Sequence, residues 1–209
     1  GGEAERPPVG VYSPKYDVEA FERYRGVFAP REIVTVSEKI HGANSSFVYH
    51  EDRMWCKSQK EWKKEDDTNL WWRALKQHPE IEVFCKTHPG ITVIAEVYGD
   101  VQSLKYGLTK GQVRIAVFDL FHHTVGEFIP AVKARTMGAD LPWVPLVMER
   151  MPFDEAKLRE LVDGPSLVPG ADHLREGIVI KPYYEERRHE EVGRVQLKLV
   201  SAKYLEKVK

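Results

Sequence analysis

The sequence predicts an α+β fold in which antiparallel β-sheets carry flanking helices. Most apolar runs are short and rich in β-branched residues, which is typical of strands. The helical patterns are few and do not alternate regularly with the strands, so no parallel βαβ sheet is indicated. The chain has 209 residues, of which 42% are hydrophobic. That composition suits a globular protein, and because no clear linker occurs we predict a single domain over 1–209.

Each predicted element is placed by its local pattern. Turn signals such as Glu51-Asp52 separate the strands, and proline or a capping side chain marks the helix starts. The predicted strands span 32–39, 46–50, 53–57, 91–98, 113–121, 125–129, 177–181 and 194–200. The predicted helices span 17–24, 68–78 with Thr68 as N-cap, 79 to about 89, 153–162 and 202–209.

Charge composition excludes a nucleic-acid role that rests on global charge. The 31 Lys and Arg residues are balanced by 32 Asp and Glu residues, for a net charge of -1. Binding to nucleic acid therefore requires local basic patches, although acidic runs beside them are typical of a solvated surface. The candidate patches are Lys57, Lys60, Lys63 and Lys64; Arg187 and Arg188; and Lys198, Lys203, Lys207 and Lys209.

Cysteine usage and hydropathy predict a cytoplasmic protein. Cys56 and Cys85 are the two cysteines and form no CxxC pattern, which favours a reducing compartment. No apolar run is long enough to span a membrane, and the chain does not start like a signal peptide. We therefore expect no membrane partner.

Lys39 is the first candidate catalytic residue. It lies between an apolar run that contains Ile33, Val34 and Val36 and the turn at Gly42. A lysine held where a strand ends can be oriented and partly buried, as an amine nucleophile requires. On spacing alone, a strand-edge lysine before a turn is an equally good interpretation.

The stretch around Lys39 resembles a family motif. Glu38-Lys39-Ile40-His41-Gly42-Ala43-Asn44 is similar to the first motif of ATP-dependent RNA ligases related to the second RNA ligase of bacteriophage T4 and the trypanosome RNA-editing ligases. DNA ligases and capping enzymes usually have aspartate at the position of His41. Four further stretches resemble the later motifs of the family in the expected order, at 95–99, 117–120, 175–182 and 196–201.

The resemblance implies a covalent nucleotidyltransferase (ATP-grasp-like) adenylation domain. Lys39 would attack the α-phosphate of ATP, and the AMP would pass to a 5′-phosphate RNA end before a 3′-hydroxyl seals the strand. Glu96 and Glu176 would contact Mg²⁺ or Mn²⁺, Phe118 would stack on adenine, and Lys198 would bind the α-phosphate. The implied nucleotide-binding set is Glu38, Ile40, His41, Asn44, Gln59, Glu96, Phe118, Glu176, Lys181 and Lys198.

The residue types agree with that chemistry. Nucleotidyl transfer needs positioning and charge neutralisation more than covalent help from the protein. Carboxylates such as those of Glu96 and Glu176 are hard oxygen ligands suited to Mg²⁺. Taken singly, each would be read as a strand-end surface carboxylate, and Phe118 as a core residue. Among the tryptophans we predict packing for Trp62, Trp71 and Trp72.

Two departures from the family pattern leave alternatives open. Gln59 stands where many relatives have arginine, with Lys57 and Lys60 as candidate substitutes that lack the planar guanidinium fork. Gln196 stands where the phage enzyme has the first lysine of a Lys-x-Lys pair. The alternatives are a DNA-nick ligase, a GTP-using capping enzyme, or a relative that binds RNA ends or nucleotides without ligating them.

The end of the chain also leads to an expectation. The last motif closes at Ser201, eight residues before Lys209, whereas larger ligases continue into a C-terminal domain. We therefore expect a stand-alone, monomeric module. Its RNA ends, including nicked duplexes and RNA/DNA hybrids, would be held by local basic residues or by an accessory protein.

Overall fold

The computed structural model describes residues 2–207, in which two large sheets and a small hairpin carry short helices. The strands are β1 (Glu19–Ala20), β2 (Ile33–Lys39), β3 (Ala43–His50), β4 (Arg53–Lys57), β5 (Trp62–Lys63), β6 (Ile91–Gly99), β7 (Val113–His122), β8 (Glu127–Phe128), β9 (Leu146–Pro152), β10 (Gly177–Pro182), β11 (Arg188–His189), β12 (Gly193–Arg194) and β13 (Leu197–Val200). The helices are α1 (Leu70–Lys76), α2 (Pro79–Thr87), α3 (Ala131–Met137), α4 (Glu155–Leu161) and α5 (Ala202–Lys207).

Pairing within the sheets is almost entirely antiparallel. One sheet has the order β5-β4-β3-β6-β7-β8, the other β1-β13-β10-β2-β9, and β11 pairs with β12. The short pairing of β1 with β13 is parallel. The predicted α+β class with antiparallel sheets and flanking helices is confirmed.

Each large sheet has its own hydrophobic core. Helices α1 and α2 cover the six-stranded sheet, where the tryptophans Trp71 and Trp72 are buried as predicted. Trp62 is also buried. Helix α4 packs on the five-stranded sheet through Leu158. A third, smaller cluster joins the end of β2 to β7 through Ile40, Tyr106 and Ala116.

Several predicted elements differ in the structure. The segment 17–24 is not a helix: Glu19 and Ala20 pair with β13, and one 3₁₀ turn follows at Phe21–Arg23. Phe21 is fully buried, so tertiary packing overrides the local helical pattern. Strand 194–200 is interrupted between β12 and β13. Strands β5 and β9 and helix α3 were not predicted. Of the predicted terminal helix, 208 and 209 lie outside the described residues.

The N-cap of α1 is Asn69 rather than Thr68. The Asn69 side chain accepts hydrogen bonds from the backbone N–H groups of Trp71 and Trp72. Thr68 instead donates both its backbone N–H and its hydroxyl to Asp66, at 2.8 and 2.7 Å. Because Asp66 forms this local turn, the helix starts one residue later.

The N-terminal segment covers the free edge of the six-stranded sheet. Ala4 forms a bridge with Lys63 of β5, and the Glu5 N–H donates to the Trp62 carbonyl at 2.9 Å. The Glu5 carboxylate also pairs with Arg53 of β4 at 2.9 Å. An edge strand covered in this way does not offer its backbone to another chain.

Both cysteines are buried and unbonded to each other, which agrees with the expectation of free thiols. A search of residues 2–207 for membrane-spanning helices finds none of sufficient length and apolarity.

Candidate active site

A solvent-open cleft of about 680 Å³ lies between the two large sheets. The five-stranded sheet contributes Lys39 of β2, Lys181 of β10 and Lys198 of β13. The opposite sheet contributes Asn44, Glu96 and Phe118. Most residues of the five sequence motifs are therefore brought to one cavity, although they lie up to about 160 residues apart.

Lys39 is at the last position of β2, where its amine meets a carboxylate. β2 pairs with β10 so that Lys39 is opposite Gly177, and the preceding residue, Glu176, lies beside the lysine. Lys39 Nζ is 2.7 Å from Glu176 Oε2, and His41 Nδ1 is 3.0 Å from Glu176 Oε1. The Lys39 side chain is 25% exposed, so its amine is oriented but remains reachable from the cleft.

Glu96 approaches Lys39 from the other sheet. It is opposite Asn44 in the pairing of β3 with β6, and its Oε2 accepts the Gly42 N–H at 3.1 Å. Burial raises the pKa of the Glu96 carboxyl to about 7, although Lys39 and the Gly42 amide partly oppose that rise. Gly42 is required here, because a Cβ atom would lie 2.1 Å from the Val97 carbonyl oxygen.

Glu38 and Ile40 shape the cleft from beside the nucleophile. The Glu38 carboxylate is buried and accepts hydrogen bonds from the Ser166 hydroxyl at 2.7 Å and the Leu167 N–H at 2.6 Å. Burial raises its pKa, whereas these two hydrogen bonds lower it. Ile40 packs against Tyr106, whose hydroxyl accepts the His41 N–H at 2.7 Å. Both predicted residues thus line the cleft while fixing the loops around it.

An aromatic corner forms one side of the cleft. The rings of Phe118 and Tyr16 lie 4.9 Å apart at an angle of 42°. The Tyr16 hydroxyl donates to Asp119 and, at 3.1 Å, to the Gln196 side chain. Tyr16 was missed by the sequence analysis, since an isolated tyrosine in a proline-rich segment carries no periodic or motif signal.

Asp119 connects this corner to two buried cations. It accepts a bidentate pair of hydrogen bonds from Arg194, at 2.7 and 2.8 Å, and lies 2.9 Å from Lys181 Nζ. Burial would raise the pKa of Asp119, but Arg194 and Lys181 outweigh it and hold the pKa well below its usual range. Burial lowers the pKa of Lys181. The Lys181 amine also donates to the Phe118 carbonyl at 2.7 Å, so it is already engaged.

Lys198 offers a second amine to the cleft. It is opposite Val179 in the pairing of β10 with β13, which directs both side chains to the same face. Within residues 2–207 its ammonium group forms no ion pair with a carboxylate. It can therefore meet an anionic ligand without first losing a protein partner.

Gln59 is the predicted residue that the structure does not bring to the site. It is exposed in the turn between β4 and β5, and its carbonyl accepts a hydrogen bond from Lys57 Nζ at 3.0 Å. Neither Gln59 nor Lys60 lines the cleft. Gln196, the other departure from the family pattern, faces Tyr16 instead.

The carboxylates fit a loosely held divalent cation. Residues 2–207 contain no cluster of three or more metal-ligating side chains. Glu96 and Glu176 both interact with Lys39 and lie on opposite sides of it. Magnesium typically keeps several waters and binds one or two carboxylates together with phosphate oxygens, so this pair suits it.

A model of the RNA ligase family matches residues 32–204 of the chain. The chain belongs to the RNA ligase family. The matched region contains every predicted site residue and excludes the N-terminal segment that carries Tyr16. Assignment to the branch of the phage T4 enzyme stays a prediction.

Solved RNA ligases from Naegleria gruberi share this fold. A lysine-to-methionine mutant with AMP and manganese superimposes with a TM-score of 0.81 at 19% identity, covering 99% of this chain and 61% of that one. The ligase with pyrophosphate gives a TM-score of 0.79 at 20% identity, with 99% and 61% coverage. The chain therefore spans about three fifths of the length of these ligases. Among curated proteins, none shows significant sequence similarity to the chain.

Proposed function

We propose that the protein is an ATP-dependent RNA ligase that works through a lysyl-AMP intermediate on Lys39. The observation that carries this proposal is the placement of the Lys39 amine, 2.7 Å from Glu176, at the end of β2 in a cleft of an RNA ligase family member. The Naegleria gruberi structures with ATP and manganese, AMP and manganese, and pyrophosphate support an adenine nucleotide as the ligand.

In the first step the Lys39 nitrogen forms a bond to the α-phosphorus of ATP. The bond from that phosphorus to the pyrophosphate oxygen breaks, and the lysine releases a proton. Glu176 is the hydrogen-bonded carboxylate nearest to that amine and orients it. Lys198, which faces the cleft without a carboxylate partner among the described residues, is suited to neutralise the α-phosphate.

The aromatic corner is suited to the adenine base. Phe118 is half-buried and presents a ring to the cleft, with Val179 lining the side that belongs to the other sheet. Aromatic stacking on a nucleobase contributes about 1–3 kcal/mol. Asn44, also in the cleft lining, can donate a hydrogen bond to a phosphate or ribose oxygen.

Mg²⁺ or Mn²⁺ would be held by Glu96 and Glu176 and would neutralise charge on the phosphates. The burial that raises the pKa of Glu96 to about 7 indicates that this carboxyl group favours a cation partner when ionised. In the later steps AMP passes to a 5′-phosphate RNA end, and a 3′-hydroxyl displaces it to form the phosphodiester bond.

The finer assignments extend this proposal. We infer a monomer whose 1–209 region is a single adenylation domain, acting in the cytoplasm, with an accessory protein as a further holder of RNA ends. The two buried free thiols support a reducing compartment. Sedimentation velocity of the purified protein tests the monomer, and a dimer at micromolar concentration would contradict it.

Intact mass spectrometry after incubation with ATP and Mg²⁺ tests the central proposal. We expect a covalent AMP adduct that is lost on treatment with pyrophosphate and is absent from Lys39→Ala. Lys60→Ala is the matched control, because Lys60 is exposed and outside the cleft. An adduct that survives Lys39→Ala would overturn the proposal. An adduct without joining of RNA ends would instead favour the non-ligating relative.

A further inference from the structure

The basic patches suggested by the sequence are largely neutralised in the fold. Lys63 is buried, pairs with Glu61 at 3.0 Å and lies over the Trp71 ring. Lys64 lies 3.8 Å from Glu3, within ion-pair distance. Arg187 pairs with Glu32 at 2.7 Å. These side chains therefore add little positive potential outside the protein.

A different surface collects unbalanced positive charge. A groove of about 670 Å³ lies between the C-terminal end of α1 and the start of β7. Its lining contains no carboxylate and consists of Arg73, Lys76, Gln77, Gly111, Gln112, Val113 and Arg114.

The acidic groups near the groove are outnumbered. Two of them, Asp67 and Asp100, pair with Lys76 and Lys105. The basic groups of the surface are Arg73, Lys76, Lys105, Lys110 and Arg114. In a chain with a net charge of -1, five cations against two carboxylates make this surface locally attractive to anions.

The geometry of the groove is fixed by hydrogen bonds. Arg73 Nη2 donates to the Gly111 carbonyl at 2.9 Å, which ties α1 to the loop before β7. The Gly111 N–H donates to Asp100 at 2.8 Å, and Arg114 Nη1 donates to the Val113 carbonyl at 2.8 Å. Each arginine keeps further N–H groups for a ligand, because a guanidinium has five.

The groove is connected to the cleft through β6 and β7. Arg114 is opposite Tyr98, whereas Ala116, two residues further along β7, is opposite Glu96. Two residues of a strand span about 7 Å. The Tyr98 ring packs on Tyr106 at 5.1 Å, and Tyr106 holds the backbone of His41. Because phosphates of one duplex strand are about 3.4 Å apart along the axis, the groove starts roughly two nucleotides from Glu96.

We propose that this groove binds the phosphate backbone of the RNA strand whose end is joined at Lys39. The proposal rests on the ligase function above and names a substrate-binding surface for it. Arginine binds phosphate through paired N–H groups, and Gln77 and Gln112 add neutral donors beside it. Contacts of this kind position the strand without reading its sequence.

Fluorescence anisotropy with a labelled, 5′-phosphorylated RNA oligonucleotide tests the proposal. We expect Arg73→Gln/Arg114→Gln to weaken RNA binding by about tenfold at low salt, and to reduce the salt dependence by about one unit of slope per lost contact. The matched control is Lys60→Gln/Arg188→Gln, which removes two exposed charges away from the groove. Its RNA affinity should stay within about twofold of the parent protein.

Lysine adenylation separates this proposal from the ligase function. Neither Arg73 nor Arg114 lines the cleft, so the double variant should form the AMP adduct at the parental rate while joining RNA ends more slowly. Loss of adenylation in that variant would indicate a damaged fold, and Arg114→Lys, which keeps the charge, then provides the test by retaining RNA affinity. Equal RNA affinity and salt slope in the groove and control variants would overturn the proposal, even if the parent protein ligates.

Discussion

Glu96 couples the site to the stability of the fold. Its carboxyl group is removed from water, which raises its pKa to about 7, compared with an ordinary value near 4.5. Between those two pH values the folded state binds more protons at this position than the unfolded state does. The contribution of Glu96 to the free energy of unfolding therefore decreases as the pH rises from about 4.5 to 7 and is constant above that range.

We predict that Glu96→Gln removes this component of the pH dependence. Without nucleotide or metal, the parent protein should lose stability relative to the variant as the pH rises from 5 to 7, because the variant has no proton to release. Urea denaturation at several pH values measures the difference. Glu190→Gln, at an exposed position, is the control. A pH-independent difference between parent and variant would contradict the assignment.

Tyr16 provides a second prediction at the residue scale. Tyr16→Phe keeps the ring beside Phe118 but removes the hydroxyl that donates to Asp119 and Gln196. We expect the KM for ATP in lysine adenylation to rise severalfold, with a loss of about 1–2 kcal/mol in stability, because a buried acceptor loses its donor. Tyr12→Phe, 61% exposed on the same segment, should change neither quantity. An unchanged KM in Tyr16→Phe would show that the hydroxyl does not position the base side of the cleft.

At the scale of elements, Arg175 holds the end of α4 and the loop that follows it. Its guanidinium donates to the carbonyl groups of Leu161, Asp163 and Pro165. The same loop presents Ser166 to Glu38, the neighbour of Lys39. One buried side chain therefore fixes a helix terminus and, through the loop, one wall of the cleft.

We predict that Arg175→Ala destabilises the protein by about 2–4 kcal/mol, since three buried carbonyl groups lose their donors. Chemical denaturation gives the free energy of unfolding, and Arg188→Ala at an exposed position is the reference. Adenylation of Lys39 should also slow in Arg175→Ala but not in Arg188→Ala. A loss below about 0.5 kcal/mol, the range of ordinary surface substitutions, would show that the loop does not depend on this residue.

The elements that the sequence predicted well are those whose local pattern and tertiary role agree. β2, β4, β6 and β7 follow their apolar patterns to within a residue or so at each end. β9 was missed because its residues are mostly half-exposed and include Glu149 and Arg150, which hide a strand pattern. The motif residues could be found because they are short sequences. Tyr16, Asp119 and Arg194 could not be connected, because their contacts join positions 75 to 103 residues apart.

At the scale of the whole molecule, the cleft depends on both sheets at once. Lys39, Glu176 and Lys198 come from the five-stranded side, and Asn44, Glu96 and Phe118 from the six-stranded side. A nucleotide that contacts both sides binds only when both cores are folded. Ligand binding should therefore stabilise the two sheets together.

We predict that ATP with Mg²⁺ raises the melting temperature of Lys39→Ala, which cannot form the adduct, in one cooperative transition. At a hundredfold excess over Kd the gain is about 2.7 kcal/mol. Calorimetry with Mg²⁺ alone is the control. Two separate transitions, of which only one shifts with ATP, would show that the nucleotide contacts a single sheet.

The position of Tyr16 matters for any attempt to define a minimal ligase from shared motifs. The family match begins at residue 32, and all the motif residues follow it. A protein trimmed to the matched region would retain the nucleophile, the carboxylates and Lys198. It would lack the tyrosine beside Phe118 and the backbone that covers β5. The boundary within which the family is recognisable is therefore narrower than the boundary within which this cleft is complete.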